Sequence, residues 1–241
     1  MKYVPGQSVG DIFGTPWTRY EDDKDPLYSD KNKPLLIGDD GFPILTPTSN
    51  QKVLGNAYPD WIGGIGNTFN YKNWSLYFLW DTRQGLEKYD QFLNFMAAFG
   101  ESTITLNRDQ TMVFDDVLAD GSKNTKPVYL GQGVGPDGVD YGAGYYRNRY
   151  RGISENFVED ASWVRLRTAT LSYTLPGSVL QNSFIKNINL AFTGNNLLLF
   201  TKYKGFDPES SSTEAGSNVN GFAGFTYPAL RSYIFTLNIG F

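Results

Sequence analysis

The sequence contains neither cysteine nor histidine among its 241 residues. Without cysteine there are no disulfides, thiolate nucleophiles or cysteine-ligated metal sites, and without histidine the usual general base and the commonest metal ligand are missing. No stretch approaches the roughly 18 consecutive apolar residues that a membrane-spanning helix needs. The net charge of −4 lacks the basic excess of nucleic-acid-binding proteins, so we expect no nucleic-acid partner.

Aromatic residues make up 16% of the chain, and they alternate with small or polar residues at its end. Side chains along a β-strand point to opposite faces in turn, so residues 233–241 form a strand with one wholly apolar face. This face carries Tyr233, Phe235, Leu237, Ile239 and Phe241. Such a strand is typical of a β-barrel in the outer membrane, where the apolar face contacts lipid and the other face lines the lumen.

The same alternation recurs upstream and predicts an all-β, antiparallel fold of six or so strands. We expect strands at residues 7–20, 61–70, 74–81, 161–175, 187–200 and 233–241. Within residues 161–175 the apolar positions change parity: Val164 and Leu166 share a face, whereas Ala169 and Leu171 have the opposite parity. One extra residue near Arg167-Thr168 would restore the register, so we predict a β-bulge there.

The predicted connections differ in length. Residues 70–73 and 176–186 are short turns, whereas the connections at about 22–58, 82–160 and 204–228 are long and rich in glycine, aspartate, asparagine, serine and proline. Outer-membrane barrels have short periplasmic turns and long extracellular loops. The pattern therefore predicts that the long connections are extracellular and that the C-terminus is periplasmic. Residues 88–99 depart from the strand pattern, and their apolar residues at helical spacing predict a short amphipathic helix. We expect this helix to pack in the core of the loop, and the alternative is that it lines a ligand groove.

Four blocks of the sequence resemble the C-terminal part of the SusC-like (RagA-like) TonB-dependent transporters, the outer-membrane nutrient importers of the Bacteroidetes. They are residues 52–81, 157–176, 194–207 and 227–241, and residues 10–14 match more weakly. The resemblance implies that residues 1–241 belong to the C-terminal part of a transmembrane barrel of about 22 strands with a plugged lumen. Residues 1–6 have no apolar signal-peptide core, so we expect the plug and the earlier strands to precede this sequence.

The resemblance also implies a function and a set of partners. The whole protein is expected to import bulky nutrients across the outer membrane of a Gram-negative bacterium, with glycan oligosaccharides as the first candidate cargo and peptides as the second. Expected partners are the rest of the transporter chain, a SusD-like surface lipoprotein, the TonB complex through the missing N-terminal part, and outer-membrane lipid. The apolar face of the last strand, with Phe241, is expected to act as the signal for membrane insertion.

Aromatic residues near glycines in the predicted loops are the candidate substrate contacts, because sugar rings stack on aromatic rings. They are Tyr145, Tyr146, Phe222, Phe225 and Tyr227. The alternative is that these rings pack the loops or contact the lipoprotein. Arg165 and Arg167 are expected to form ion pairs at the lumen or the rim of the barrel, and the alternative is that they contact substrate.

Catalysis, cofactors and metals are not expected. A glycosidase needs two carboxylates held across a sugar at a defined separation, whereas the carboxylates here lie mostly in predicted loops, where solvated acids are common. Residues 22–30 and 137–140 resemble calcium loops but lack the EF-hand spacing, so we interpret them as turns. One alternative from another class stays open, a secreted soluble β-sandwich that binds carbohydrate.

Overall fold

The computed structural model describes residues 4–22, 24–181, 183–212 and 221–241. It divides into two compact units. The sheet unit comprises residues 59–86, 160–210 and 227–241, and the loop unit comprises residues 1–58, 87–159 and 211–226. No helix in the described ranges is long and apolar enough to cross a membrane.

Strands dominate the described residues. In chain order they are β1 (Asp11–Gly14), β2 (Lys52–Asn56), β3 (Trp61–Tyr71), β4 (Trp74–Gln84), β5 (Glu87–Asp90), β6 (Thr111–Val113), β7 (Pro127–Tyr129), β8 (Val158–Asp160), β9 (Trp163–Thr174), β10 (Asn187–Thr201), β11 (Phe222–Ala223) and β12 (Ser232–Gly240). The α-helices are α1 (Gln91–Phe99), α2 (Tyr145–Asn148) and α3 (Gly177–Leu180), and short 3-10 turns cover Thr103–Thr105, Tyr150–Gly152 and Ser154–Phe157. The prediction of an all-β fold is confirmed.

The sheet unit is built on one antiparallel sheet of five strands in the order β12-β10-β9-β4-β3. The remaining strands form three small sheets, β1-β2, β11-β5-β8 and β6-β7. The turn at Lys72–Asn73, the connection between β9 and β10, and the end of β12 all lie at one end of the five-stranded sheet, because Asn73 O accepts from Thr174 N and Gly240 O accepts from Lys186 N. The longer connections therefore leave from the opposite end.

The register of the five strands separates two chemically different faces. The apolar face carries Trp61, Ile65, Phe69, Tyr71, Trp74, Leu76, Phe78, Trp80, Val164, Leu166, Leu171, Tyr173, Ile188, Leu190, Phe192, Leu198, Phe200, Tyr233, Phe235, Leu237 and Ile239. Many of these side chains are exposed, and Phe235 keeps 85% of its surface accessible. A soluble protein buries such a face, so the sheet has the surface of a membrane wall.

The predicted bulge in β9 is confirmed. Thr168 pairs with Leu79 of β4, and the next pair along the sheet is Leu166 with Trp80, so Arg167 is the extra residue. The bulge lets apolar side chains of opposite parity reach the same face.

The predicted first strand, residues 7–20, is wrong as a member of the main sheet. Only β1 is a strand there, and it pairs with β2. Pro16 lacks an N–H for a sheet ladder, and the residues around it bond to another part of the loop unit instead: Trp17 N donates to Glu155 Oε2 at 2.9 Å, and Thr15 Oγ1 donates to Gly152 O at 2.8 Å. The main sheet therefore has five of the six predicted strands.

The loop unit has its own hydrophobic core. The core consists of Trp17, Phe42, Val128, Leu130, Tyr145 and Ile153. Beside it, Arg19 Nη2 lies 2.5 Å from Glu155 Oε1 in a buried ion pair. The unit is therefore packed around buried rings and a buried ion pair.

The predicted helix is confirmed as α1, although residues 88–90 belong to β5. Asp90 Oδ1 accepts from Leu93 N at 2.9 Å and caps the N-terminus. Gly100 ends the helix in the left-handed conformation, with φ of 76°.

Candidate functional surfaces

The second face of the five-stranded sheet is mainly polar or small. It presents Gly64, Gly66, Thr68, Asn70, Ser75, Tyr77, Asp81, Thr168, Thr170, Ser172, Thr174, Asn187, Asn189, Ala191, Thr193, Asn195, Ser232, Thr236, Asn238 and Gly240, with Ile62, Leu79 and Ile234 among them. Side chains on neighbouring strands hydrogen-bond across it: Thr170 Oγ1 and Thr193 Oγ1 are 2.9 Å apart, and Asn189 Nδ2 donates to Thr174 Oγ1 at 2.9 Å. Such a face suits contact with an aqueous lumen.

A cluster of charges lies on this polar face. Arg165 Nη2 donates to Asp207 Oδ1 at 2.6 Å, and both side chains are only 3% exposed. Arg165 Nε also lies 3.0 Å from Glu209 Oε2. Because a buried charge is costly unless it is paired, these contacts tie the connection after β10 to β9.

Arg167, the bulge residue, extends the cluster. Its Nη1 and Nη2 donate to the two carboxylate oxygens of Glu209 at 2.9 and 2.8 Å, and Nη2 also donates to Asp81 Oδ2 at 2.9 Å. The guanidinium lies 5.4 Å from the ring centroid of Trp163, a cation–π distance. Both arginines therefore form ion pairs with the connection after β10, and we call this cluster the latch of the sheet unit.

Asp207 has the least exposed carboxylate of this cluster. Burial alone would raise its pKa, but the hydrogen bond from Arg165 and the backbone N–H groups of Glu209 and Ala229 outweigh burial and hold the pKa below its ordinary value. The prediction of ion pairs for Arg165 and Arg167 is confirmed. The sequence did not predict their acidic partners, Asp207 and Glu209. Each partner lies 42 positions after its arginine, and no local pattern connects residues so far apart.

Tyr145 and Tyr146 lie together in the loop unit, with ring centroids 5.2 Å apart. Tyr145 is a core residue with 8% of its surface exposed, and its ring stacks on Phe42 at 5.8 Å. Burial raises the pKa of the Tyr145 hydroxyl. The Tyr146 hydroxyl lies 2.8 Å from Ile104 O and 2.6 Å from Asn107 Oδ1. These contacts favour the packing alternative for both tyrosines.

Phe222 and Phe225 also belong to the loop unit. Phe222 stacks on Tyr89 at 5.5 Å, and Phe225 meets Phe92 and Phe95 of α1 edge-on at 5.7 and 5.2 Å. Phe225 keeps 60% of its surface exposed, so it could still offer a ring to a ligand.

Tyr227 belongs to the sheet unit and is 94% exposed. The structure thus places four of the five candidate residues in the loop unit, where Tyr145 and Tyr146 contact each other and Phe222 and Phe225 pack on different rings. A ligand-binding role for any of them stays a prediction.

An open cleft of about 650 Å³ in the loop unit escaped the sequence prediction. It is lined in part by Asp40, Phe42, Asp137, Tyr141 and Arg149. Arg149 forms an ion pair with Asp40 and lies 4.5 Å from the ring centroid of Phe42, while Tyr141 donates to Asp137 Oδ2 at 2.7 Å. The polar groups of this cleft are largely engaged with one another.

The candidate calcium loop at residues 137–140 is a turn. Asp137 Oδ1 accepts from Val139 N at 3.1 Å, and Asp140 Oδ1 accepts from Gly142 N at 2.9 Å. Residues 22–30 include Asp23, which lies outside the described residues. In the part of the chain that the structure describes, no group of three acidic side chains could hold a metal ion.

The residues of the expected insertion signal lie on β12 and directly after it, and their role in insertion stays a prediction. Four of its side chains are on the apolar face of β12, and Phe241 follows the strand with its ring stacked on Phe184 at 5.7 Å. Both edges of the main sheet, β12 and β3, have no further strand beside them in the described residues. One apolar face, one polar face and two unpaired edges define the sheet as part of the wall of a transmembrane β-barrel.

Comparison with known proteins agrees with this class. No family model matches the chain. The chain is 30% identical over 199 residues to TonB-dependent receptor P26 of Formosa agariphila, and 27% identical over 198 residues to TonB-dependent receptor P3 of the same organism. Each match covers 80% of this chain but only 18% of the relative. The chain therefore spans about a fifth of the length of these receptors.

Solved structures show the same fold. The RagAB peptide importer in its open-open state superimposes with a TM-score of 0.60 at 18% identity, covering 100% of this chain and 24% of that chain. Its closed-closed state gives a TM-score of 0.58 over 99% of this chain. In sequence the chain is similar to part of these TonB-dependent receptors, and in fold it is similar to part of the RagAB importer. These relatives are receptors and importers, not enzymes.

Proposed function

We propose that this chain forms a wall-and-loop segment of an outer-membrane importer that takes up bulky nutrients with energy from TonB. The observation that carries the proposal is the five-stranded sheet, whose apolar face is exposed while its opposite face is polar and hydrogen-bonded. Apolar surface in water costs about 25 cal/mol per Å², so lipid is the environment that stabilises this face. The polar face would then line the water-filled lumen.

The rest of the transporter is needed to complete this wall. β3 and β12 present unpaired backbone groups at the two edges of the sheet, and such groups cannot remain open within a membrane. The remaining barrel strands are therefore the first partner of this segment. The end of β12 would be periplasmic and the loop unit extracellular, because outer-membrane barrels place their long loops outside.

Glycan oligosaccharides are the proposed cargo, and a SusD-like lipoprotein is the proposed partner at the cell surface. The exposed rings of Phe225 and Tyr227 support a glycan, because the C–H faces of sugars pack on aromatic rings. A peptide is the second candidate cargo, and it is supported by the structural similarity to the RagAB peptide importer.

The soluble β-sandwich fits the structure less well. A sandwich buries one face of each sheet against the other, with side chains interdigitating across the interface. Here the rings on the apolar face are exposed, and Tyr71 keeps 70% of its surface accessible. A single sheet with this surface would aggregate in water.

The cargo can be tested on the intact protein. We would purify the full-length transporter with its lipoprotein from the native membrane and identify co-purifying molecules by mass spectrometry. An oligosaccharide is the expected result, and peptides in its place would establish the second candidate. A small chelated metal without any oligomer would contradict both.

A further inference from the structure

Three arginines of the loop unit lie along helix α1 without a close carboxylate partner. Arg151 lies 5.7 Å from the ring centroid of Phe95, and Arg147 lies 5.4 Å from that of Phe99. Arg108 lies beside Gly100, at the end of the helix. A Cβ added to Gly100 would come within 3.1 Å of the Cδ of Arg108. We call Arg108, Arg147 and Arg151 the arginine row.

The charges of the row are not neutralised as other arginines of this unit are. Arg19 and Arg149 each form a close ion pair, with Glu155 and Asp40 respectively. Among the described residues, in contrast, Arg147 and Arg151 form no ion pair, and Arg108 reaches only Asp109 at 3.9 Å. Guanidinium groups without a close carboxylate are available to attract an anionic ligand.

Aromatic rings lie beside the arginines of the row, and part of their surface is accessible. Phe99 is 56% exposed and packs against Phe95 at 6.3 Å, while Phe225 meets Phe95 edge-on. Helix α1 itself carries no charged residue between its N-cap Asp90 and Gly100, so the arginines supply the positive charge beside it. Rings held beside guanidinium groups offer stacking and ionic contacts together.

The surface is also concave at one end of the row. A polar cleft of about 360 Å³ is lined by Phe99, Gly100, Arg108, Gln132, Tyr146 and Arg147, among others. This volume is at the lower end of the roughly 300–1,000 Å³ of small-molecule sites. The cleft therefore has room for part of a chain-like ligand, with two arginines at its wall.

We propose that the arginine row binds the acidic groups of an oligosaccharide while Phe95, Phe99 and Phe225 contact its sugar rings. Guanidinium groups match carboxylates in a two-pronged geometry, which favours acidic over neutral sugars. The inference rests on the proposed function and makes it narrower: the cargo is an acidic glycan. The row would thus select cargo by charge, since attraction is lost with a neutral sugar.

Binding of defined oligosaccharides to the purified full-length protein tests this. The probes are an oligogalacturonate, its methyl ester of the same length, and an oligo-aspartate peptide of the same charge, each measured by titration calorimetry. We expect the oligogalacturonate to bind, the ester to bind at least about tenfold more weakly, and rising salt to weaken only the charged probe. Equal binding of the ester, or stronger binding of the peptide, would overturn the proposal.

Variants locate the effect on the row. Arg147→Gln combined with Arg151→Gln should weaken oligogalacturonate binding by about tenfold. Arg231→Gln, an exposed arginine outside the row, is the matched control and should bind as the wild type does. Arg147→Lys keeps the charge but loses the planar fork, so an intermediate affinity is expected. A circular dichroism spectrum like that of the wild type would show that the variants fold.

The inference and the proposed function can fail separately. If the whole protein imports peptides and no oligosaccharide, the proposed glycan function is wrong. If it imports oligosaccharides while the double variant binds oligogalacturonate as the wild type does, only the role of the arginine row is wrong.

Discussion

The two units place the same types of residue in opposite ways. In the sheet unit, large apolar side chains such as Phe235 point outward, while polar side chains such as Thr170 and Thr193 hydrogen-bond on the other face. In the loop unit, rings such as Tyr145 are buried in a core, and Arg19 and Glu155 pair beside it. The sheet unit has an apolar surface, which lipid stabilises. The loop unit has an apolar interior, which the hydrophobic effect stabilises in water.

Backbone conformation differs in the same way. Nine of the ten described glycines with positive φ lie in the loop unit, and Gly85 is the one in the sheet unit. The strands of the sheet unit are long and regular, up to 15 residues in β10, whereas the loop unit turns repeatedly. A wall needs continuous backbone hydrogen bonds, but a loop domain in water can satisfy its backbone with turns and side chains.

The largest expected effect is on the core of the loop unit. Tyr145→Ala removes a buried ring and should destabilise this unit by about 3–5 kcal/mol. Limited proteolysis of the purified full-length protein, mapped by mass spectrometry, should show new cleavages within residues 87–159. Tyr227→Ala, at a residue that is 94% exposed, should leave the pattern unchanged. Identical cleavage of the two variants would contradict the core assignment.

The second largest effect is expected at the latch of the sheet unit, where Arg165 and Arg167 pair with Asp207 and Glu209. Asp207→Ala leaves Arg165 buried with Glu209 as its remaining carboxylate, and should cost about 3 kcal/mol. The connection after β10 should then be cleaved faster by protease. Unchanged resistance of this connection would show that Glu209 alone is a sufficient partner.

The same latch predicts a pH dependence. The pKa of Asp207 in the folded protein lies below its ordinary value of 3.8, so its ionised form stabilises the fold. This stabilisation is complete above the unfolded-state pKa and is lost as the pH falls through the folded-state pKa. Protection of the connection should therefore be constant near neutrality and fall in acid, below about pH 4. The Asp207→Ala variant should lack this part of the acid response.

A smaller effect tests the apolar face. Leu237→Asp places a charge toward lipid in the middle of β12, which should cost about 2 kcal/mol and reduce accumulation in the outer membrane. Thr236→Asp changes the neighbouring residue on the polar face and should accumulate nearly normally. Membrane fractionation of cells that express each full-length variant measures the difference. Equal amounts of both would refute the assignment of the two faces.

The smallest effect concerns the polar face itself. Thr170→Val keeps the shape of the side chain but removes the hydrogen bond to Thr193, so we expect a loss of about 1 kcal/mol. The melting temperature of the purified protein should fall slightly. Thr111→Val in the loop unit, where the side chain is exposed, is the matched control. A melting temperature as high as that of the wild type would mean that water replaces this bond without loss.

Sequence alone determined the barrel wall. Alternation with a period of two is a local property, so five strands, the bulge at Arg167 and the apolar face of β12 could all be predicted from neighbouring residues. The helix α1 was predictable for the same reason, from its period of nearly four. The arrangement of blocks also predicted the relationship to the TonB-dependent receptors.

Only the tertiary structure decided which distant residues meet. Asp207 and Glu209 reach Arg165 and Arg167 through a long connection, and no periodicity marks such partners. The residues around Pro16 pack in the loop unit instead of joining the main sheet. Tyr145 is buried in the core of the loop unit. Long-range packing selects among contacts that local sequence leaves equivalent, because burial and pairing depend on the whole fold and not on adjacent residues.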